Sequence, residues 1–237
     1  MSLVNEIDYG TPRSLSTEMV TLTIDGRSVS APAGTSIMRA AMDVGVEIPK
    51  LCATDMLDAF GSCRLCLIEI EGRAGTPASC TTPVAEGLVV ATTSERLDRL
   101  RKGVMELYVS DHPVASLDPC QQDDVELLDV AAQVGLTENR YGFDSTRHRN
   151  TGLDVSNPYF MYDPEKCIVC SRCVRACNDV QGTFALTITG RGFDSVMAAG
   201  SDQSFLESDC VSCGACVQAC PTGSLIEKAV VEQGRPD

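Results

Sequence analysis

The chain has 237 residues, with 33 Asp+Glu against 19 Lys+Arg for a formal charge of −14, and it carries 43% apolar residues, 13 Cys, 2 His and no Trp. The acidic balance argues against nucleic acid as the main partner, because phosphate binding needs a basic face, and no run approaches the roughly 18–20 apolar residues of a membrane span. The first residues contain acids, no apolar block and no twin-Arg pair, so a cytoplasmic, reducing setting is expected, where many cysteines serve metal or redox chemistry rather than disulfides.

In chain order, residues 1–18 read as a flexible arm. Residues 20–24 alternate like a strand, Asp25-Gly26 is a two-residue hairpin signal, and residues 27–30 read as the return strand. Thr35 is the expected cap of a helix over 36–43, with Ile37, Ala40 and Ala41 on one face and Ile48-Pro49 beyond its end. Third and fourth strands are expected over 67–70 and 87–92. Among these elements lie Cys52, Cys63, Cys66 and Cys80, spaced C-x10-C-x2-C-x13-C. Three cysteines in a loop with a fourth further on can hold a 2Fe–2S cluster. Hairpin, helix, cysteine loop and strands follow the order of a β-grasp ferredoxin, placed over 19–92. Gly61 suits a loop whose amides approach cluster sulfurs. A buried or zinc-binding set is the plainer alternative.

A helical segment is expected over 93–140. Its first helix, 94–109, would bury Leu97, Leu100, Val104, Leu107 and Tyr108, and a second would cover 124–134. Residues 141–165 read as a polar connector, with His148 in a solvated loop beside Arg147 and Arg149. Residues 166–237 contain two runs of one pattern, C-x2-C-x2-C-x3-C: Cys167, Cys170, Cys173 and Cys177, then Cys210, Cys213, Cys216 and Cys220. Three thiolates of such a run grip one cubane, while the fourth lies on the departing helix and ligates the other. This assigns Cys167, Cys170, Cys173 and Cys220 to one 4Fe–4S cluster and Cys210, Cys213, Cys216 and Cys177 to the other. Tetrahedral zinc does not need a third cysteine two residues on, twice over. Strands over 183–189 and 225–231 would make the two runs a pseudo-twofold pair. Arg172 and Arg175 would raise the potential of the nearby cluster or stand as exposed loop charges. No phosphate loop, G-x-S-x-G or H-E-x-x-H is present. With His112 and His148 the only histidines, no catalytic constellation is expected.

The segments IPKLCATDMLDAFGSCRLCLIEIEG, TPASCTTPV, RLRKGVMELYVSDHP, NPYFMYDPEKCIVCSRCVRAC, VQGTFALTITGRGFDS and DCVSCGACVQACP carry a resemblance over about residues 19–232. They resemble the electron-input region shared by the complex I large iron–sulfur subunit, the diaphorase small subunit of NAD-reducing hydrogenases and, above all, the NAD-dependent formate dehydrogenase α subunit. The resemblance implies an α+β chain: a β-grasp 2Fe–2S ferredoxin domain, a short helical middle segment and a two-cluster 4Fe–4S ferredoxin-like domain. It implies one 2Fe–2S and two 4Fe–4S clusters and a flavin/NAD-binding iron–sulfur partner. A molybdopterin or hydrogenase catalytic partner would complete the complex. The expected role is electron relay between a molybdopterin formate dehydrogenase module and a flavin/NAD module, with a hydrogenase or complex I-type subunit as alternative. An assembly module with structural clusters is an alternative of another class.

Two departures stand out. The formate dehydrogenase α subunit continues into a molybdopterin-binding region, whereas this sequence ends at Asp237; its length resembles a diaphorase-type subunit, although those tend to lack one of the two cubane sites. The family also places a further 4Fe–4S site, held by one His and three Cys, between the two domains. Here Asp111, His112, Pro113, Glu126 and Leu127 match that pattern, but Ser116, Pro119 and Val125 stand at the cysteine positions and Cys120 lies one residue past. An empty middle site, packed through Leu117, Leu127 and Leu128, is expected.

Overall fold

The computed structural model describes residues 7–113, 126–141 and 152–233. The chain divides into two compact units, Met1–Val104 and Met105–Asp237.

In the first unit, β1 (Met19–Ile24) and β2 (Arg27–Pro32) form an antiparallel hairpin with Ile24 opposite Arg27. Both linking residues take left-handed φ, 47° at Asp25 and 78° at Gly26, as a two-residue hairpin turn demands. The Asp25 carboxylate accepts from Thr92 N at 2.7 Å and Thr92 Oγ1 at 2.5 Å. This ties the turn to the end of β4 (Val89–Ala91), which runs parallel to β1 and antiparallel to the short β3 (Glu69–Ile70). The sheet order is β2-β1-β4-β3. Leu22, Ile24, Val29 and Ala31 alternate onto one buried face. Helix α1 (Ile37–Asp43) adds Ile37, Met38, Ala40 and Ala41 to the same core.

Three expectations are corrected here. The cap of α1 is Ser36, whose hydroxyl accepts from Arg39 N at 3.1 Å; Thr35 is instead held by backbone bonds to Pro32 and Val84. The arm expected over 1–18 is anchored from Asp8 to Thr11. The Asp8 carboxylate accepts from Gly10 N, Asp55 N and Lys50 Nζ at 2.8, 2.9 and 2.6 Å, and buried Thr11 shares a 2.6 Å bond with Ser36. Arg39 lies over the Tyr9 ring at 4.7 Å.

The third concerns α2 (Glu95–Ser110), within which the two units divide. Its buried line is Leu97, Arg101, Met105 and Val109, and Leu107 is 57% exposed. The expected stripe is rotated because an arginine takes a core position. Arg101, 5% exposed, donates to the carbonyls of Leu65 (3.2 Å), Leu67 (2.6 Å) and Thr92 (2.8 Å).

In the second unit, α3 (Glu126–Gln133) buries Leu127, Leu128, Val130 and Ala131. Two small antiparallel sheets follow. One pairs β5 (Phe160–Tyr162) with β8 (Leu225–Glu227), and the other pairs β6 (Leu186–Thr189) with β7 (Val196–Ala199). Between them lie two short helices, α4 (Arg172–Arg175), continued as a π-helical turn over Ala176–Gln181, and α5 (Ala215–Gln218). A last helix, α6, covers Lys228–Gln233. Phe205 packs edge-on against Phe160 at 5.0 Å and Tyr162 at 6.0 Å. The connector expected over 141–165 therefore ends inside the fold, since β5 belongs to a sheet and Asn157 is buried. The strand expected over 183–189 starts at Leu186, and that over 225–231 turns into α6 after Glu227. All four residues of β7 are buried, so that strand shows none of the alternation that would reveal it in the sequence. Among the described residues no helix is long and apolar enough to cross a membrane.

Replacing Arg101 by Met keeps the volume but strands three buried carbonyls, at a cost of roughly 3 kcal/mol. Anaerobic urea denaturation should show this loss of stability in the first unit, while Lys102→Met, at an exposed position, should leave it unchanged.

Candidate metal centres

Cys52, Cys63, Cys66 and Cys80 are all buried, none more than 2% exposed. Cys63 N donates to Cys52 Sγ at 3.4 Å, and Cys66 Sγ lies 3.3 Å from Cys80 Sγ. The loop reaches this arrangement through left-handed residues at Gly61 (φ 72°) and Arg64 (φ 58°). At Gly61 an added Cβ would stand 3.1 Å from Thr81 Cγ2. The Cys66 side is held by Ser79 N donating to Cys66 O at 2.8 Å, and by Arg101 on the carbonyls of Leu65 and Leu67. Hydrogen bonds with Cys63 and Cys80 hold the Cys52 thiol well below the usual thiol range, and the bond with Cys80 brings Cys66 down to about 7. Cys63 and Cys80, the partners in those contacts and buried besides, are pushed up. Four soft donors share one small buried space, the donor set that iron–sulfur clusters take.

The other eight cysteines surround two cavities in the second unit. One is lined by Cys167, Cys170, Cys173 and Cys220 together with Tyr162, Met197 and Pro221. The second is lined by Cys177, Cys210, Cys213 and Cys216 with Phe160, Leu186 and Phe205. Each cavity thus receives three cysteines from one run and the last cysteine of the other. Among the described residues no three His, Cys, Asp or Glu side chains converge closely enough for a single metal ion. The sulfurs of each quartet instead stand around one shared pocket, as the separate iron atoms of a cluster require.

The two runs also share a backbone. Residues two and four places after the first cysteine are left-handed in both: Val169 (φ 56°) and Ser171 (φ 62°), then Ser212 (φ 55°) and Gly214 (φ 79°). Ser171 and Gly214 each precede a four-residue helix. The bends turn equivalent amides onto sulfur, with Val169 N on Cys167 Sγ and Ser212 N on Cys210 Sγ, both at 3.4 Å. Ala185 N donates to Cys177 Sγ at 3.3 Å. A β-branched residue rarely takes such a conformation, so Val169 carries strain that its surroundings must offset. Exposure differs along the runs: Cys213 is exposed, Cys210 and Cys220 are half-buried, and the other five are buried. Burial pushes the Cys170 and Cys216 thiols up to about 12, and also raises Cys173 well above the usual thiol range. Metal binding must therefore displace protons from these sites.

Of the middle-site residues, His112 is buried at 3% exposure. Ser116, Pro119, Val125 and Cys120 lie outside the described residues, as does His148. Arg172, expected either beside a cluster or on an exposed loop, is buried and grips Glu126 with two bonds of 2.6 and 2.7 Å. No residue pattern announces the left-handed bends at Val169, Ser171 and Ser212. Only Gly214 marks one of the four positions.

Gly214→Ala meets open space around the added Cβ, so its cost is the left-handed backbone alone, about 1 kcal/mol. Ser171→Gly should be neutral or stabilising for the opposite reason. Urea midpoints of the two variants, moving down and not down respectively, check the assignment.

Comparison with known proteins assigns both cysteine-bearing regions to iron–sulfur domains. A 2Fe-2S iron-sulfur cluster binding domain model matches residues 17–95 and a 4Fe-4S dicluster domain model matches residues 166–224. The "NADP-reducing hydrogenase subunit HndD" of Solidesulfovibrio fructosivorans is 37% identical over 214 residues, which are 88% of this chain and 36% of that protein. The mitochondrial "NADH-ubiquinone oxidoreductase 78 kDa subunit" of Candida albicans is 37% identical over 227 residues, 92% of this chain and 30% of that protein. The chain thus spans about a third of the length of these curated relatives. A chain of the crystal structure of an NAD+-reducing [NiFe]-hydrogenase in the H2-reduced state superposes with a TM-score of 0.77 at 31% identity, covering 89% of this chain and 88% of that one. Matched across most of both lengths, the chain belongs to the same family as that hydrogenase chain, an iron–sulfur family that joins a 2Fe–2S domain to a 4Fe–4S dicluster domain, and it takes one 2Fe–2S and two 4Fe–4S clusters.

Proposed function

We propose that the chain is the electron relay of a cytoplasmic NAD(P)-linked oxidoreductase, standing between a flavin/NAD-binding iron–sulfur partner and a catalytic partner. In this reading Cys52, Cys63, Cys66 and Cys80 hold the 2Fe–2S cluster, and the two cubanes take the crossed quartets Cys167, Cys170, Cys173, Cys220 and Cys177, Cys210, Cys213, Cys216. The observation that carries it is the pair of cavities, each lined by three cysteines of one run and the fourth of the other. When bound, the clusters accept and release single electrons. The chain's own residues supply the rest. Cysteines fix the donors, left-handed bends aim amides at sulfur, and the apolar walls around Phe160, Leu186, Met197 and Phe205 limit water to the edges at Cys210, Cys213 and Cys220. Neither the sequence nor the described residues offer a catalytic constellation.

Two readings of the catalytic partner stand side by side. The sequence segments that resemble the formate dehydrogenase α subunit support a molybdopterin module, with formate and NAD+ interconverted with CO2 and NADH on other chains or regions. The 88% coverage of an NAD+-reducing hydrogenase chain favours a hydrogenase partner. Mass spectrometry of the purified complex separates the two. A chain whose clusters are only structural would retain electron flux after one cluster is removed with the fold intact; a relay would lose it.

The middle site, with Ser116, Pro119 and Val125 where thiolates would be needed, is proposed to hold no cluster. Anaerobic iron and sulfide analysis should then give about ten iron atoms per chain rather than about fourteen. Stoichiometric zinc would contradict the ligand assignment. Cys177→Ala should remove the signal of the cluster held by Cys210, Cys213 and Cys216, while that of Cys167, Cys170 and Cys173 survives. Loss of the latter alone would mean that each run serves its own cluster.

A further inference from the structure

Within the second unit, α3 touches both ends of one cysteine quartet. At one end, Glu126, its first residue, forms a two-pronged ion pair with Arg172, Oε2 on Nη1 at 2.6 Å and Oε1 on Nη2 at 2.7 Å. Arg172 sits in the loop between Cys170 and Cys173, and its side chain is 6% exposed against 35% for Glu126. At the other end, Leu127 N donates to the carbonyl of Pro221 at 3.3 Å, next to Cys220. The second quartet has no equivalent cation, because Ala215 occupies the place of Arg172 in its run.

A guanidinium held in that loop favours the more negative, reduced state of a neighbouring cluster. Its effect depends on how far its charge is cancelled. A carboxylate locked onto it by two charge-assisted bonds fixes its position and offsets most of that charge. We propose that Glu126 is a positioning residue for the cubane of Cys167, Cys170, Cys173 and Cys220. Through Arg172 it sets that cluster's reduction potential apart from that of its pseudo-symmetric neighbour. The inference rests on the crossed cluster assignment above.

The test is an EPR-monitored redox titration of the full chain with all clusters loaded, the two cubane signals being assigned by the loss of one in Cys220→Ser. Glu126→Gln keeps the shape but frees the guanidinium charge, so the midpoint of this cubane should move up. Arg172→Gln removes the cation and should move it down. The other cubane and the 2Fe–2S centre should stay in place in both variants. Loosened packing would instead move both variants in the same direction or disturb both cubanes alike, and either result overturns the proposal, as does an unmoved midpoint in Glu126→Gln. Should Arg172→Gln fail to retain its cluster, the sign of the Glu126→Gln shift decides alone. If the wild-type chain lacks two cubane signals altogether, the failure lies with the cluster assignment, and the iron count reveals it before any titration.

Discussion

A cysteine side chain is short, so four thiolates can meet only where the backbone itself bends around their meeting point. Everything else in the second unit serves that constraint. Two left-handed residues per run, Val169 and Ser171 or Ser212 and Gly214, curl each loop so that amides face sulfur. The short helices α4 and α5 then carry Cys177 and Cys220 across to the opposite cavity. The sheets β5·β8 and β6·β7 supply the apolar walls. The first unit meets the same constraint with one loop, bent at Gly61 and Arg64, and with a buried arginine on the carbonyls that flank Cys66.

Burial gives these sites their chemistry and their dependence on metal. Thiols enclosed among apolar side chains hold their protons, as the raised values at Cys170, Cys173 and Cys216 show. Cationic iron reverses that preference by pairing with thiolate, so loading the sites contributes directly to folding stability. The chain's net charge of −14 makes each internal cation significant. Among the described residues, Arg101 and Arg172 are the two buried arginines, and both lie beside cysteine loops.

Much of this was legible in the sequence because the chemistry needs particular residues at particular spacings. Twelve cysteines in three groups marked where thiols gather in the structure, and Asp25-Gly26 marked the first hairpin. What stayed hidden was set by packing rather than by local pattern. Strand β7 is buried on every side and has no alternation. Residues 225–231 switch from strand to helix at Lys228 because only the first three pair with β5. The buried line of α2 includes Arg101, which a reading of apolar periodicity passes over. Asp8 looked like part of a polar arm, yet it satisfies two backbone amides and Lys50.

The central claim is that two cubanes share their cysteines crosswise and therefore stand next to each other in one small domain. EPR of the full chain under stepwise reduction tests it most directly. With both cubanes reduced, the spectrum should show splitting and broadening from magnetic coupling that the sum of the singly reduced spectra lacks. A fully reduced spectrum that equals that sum would contradict the account.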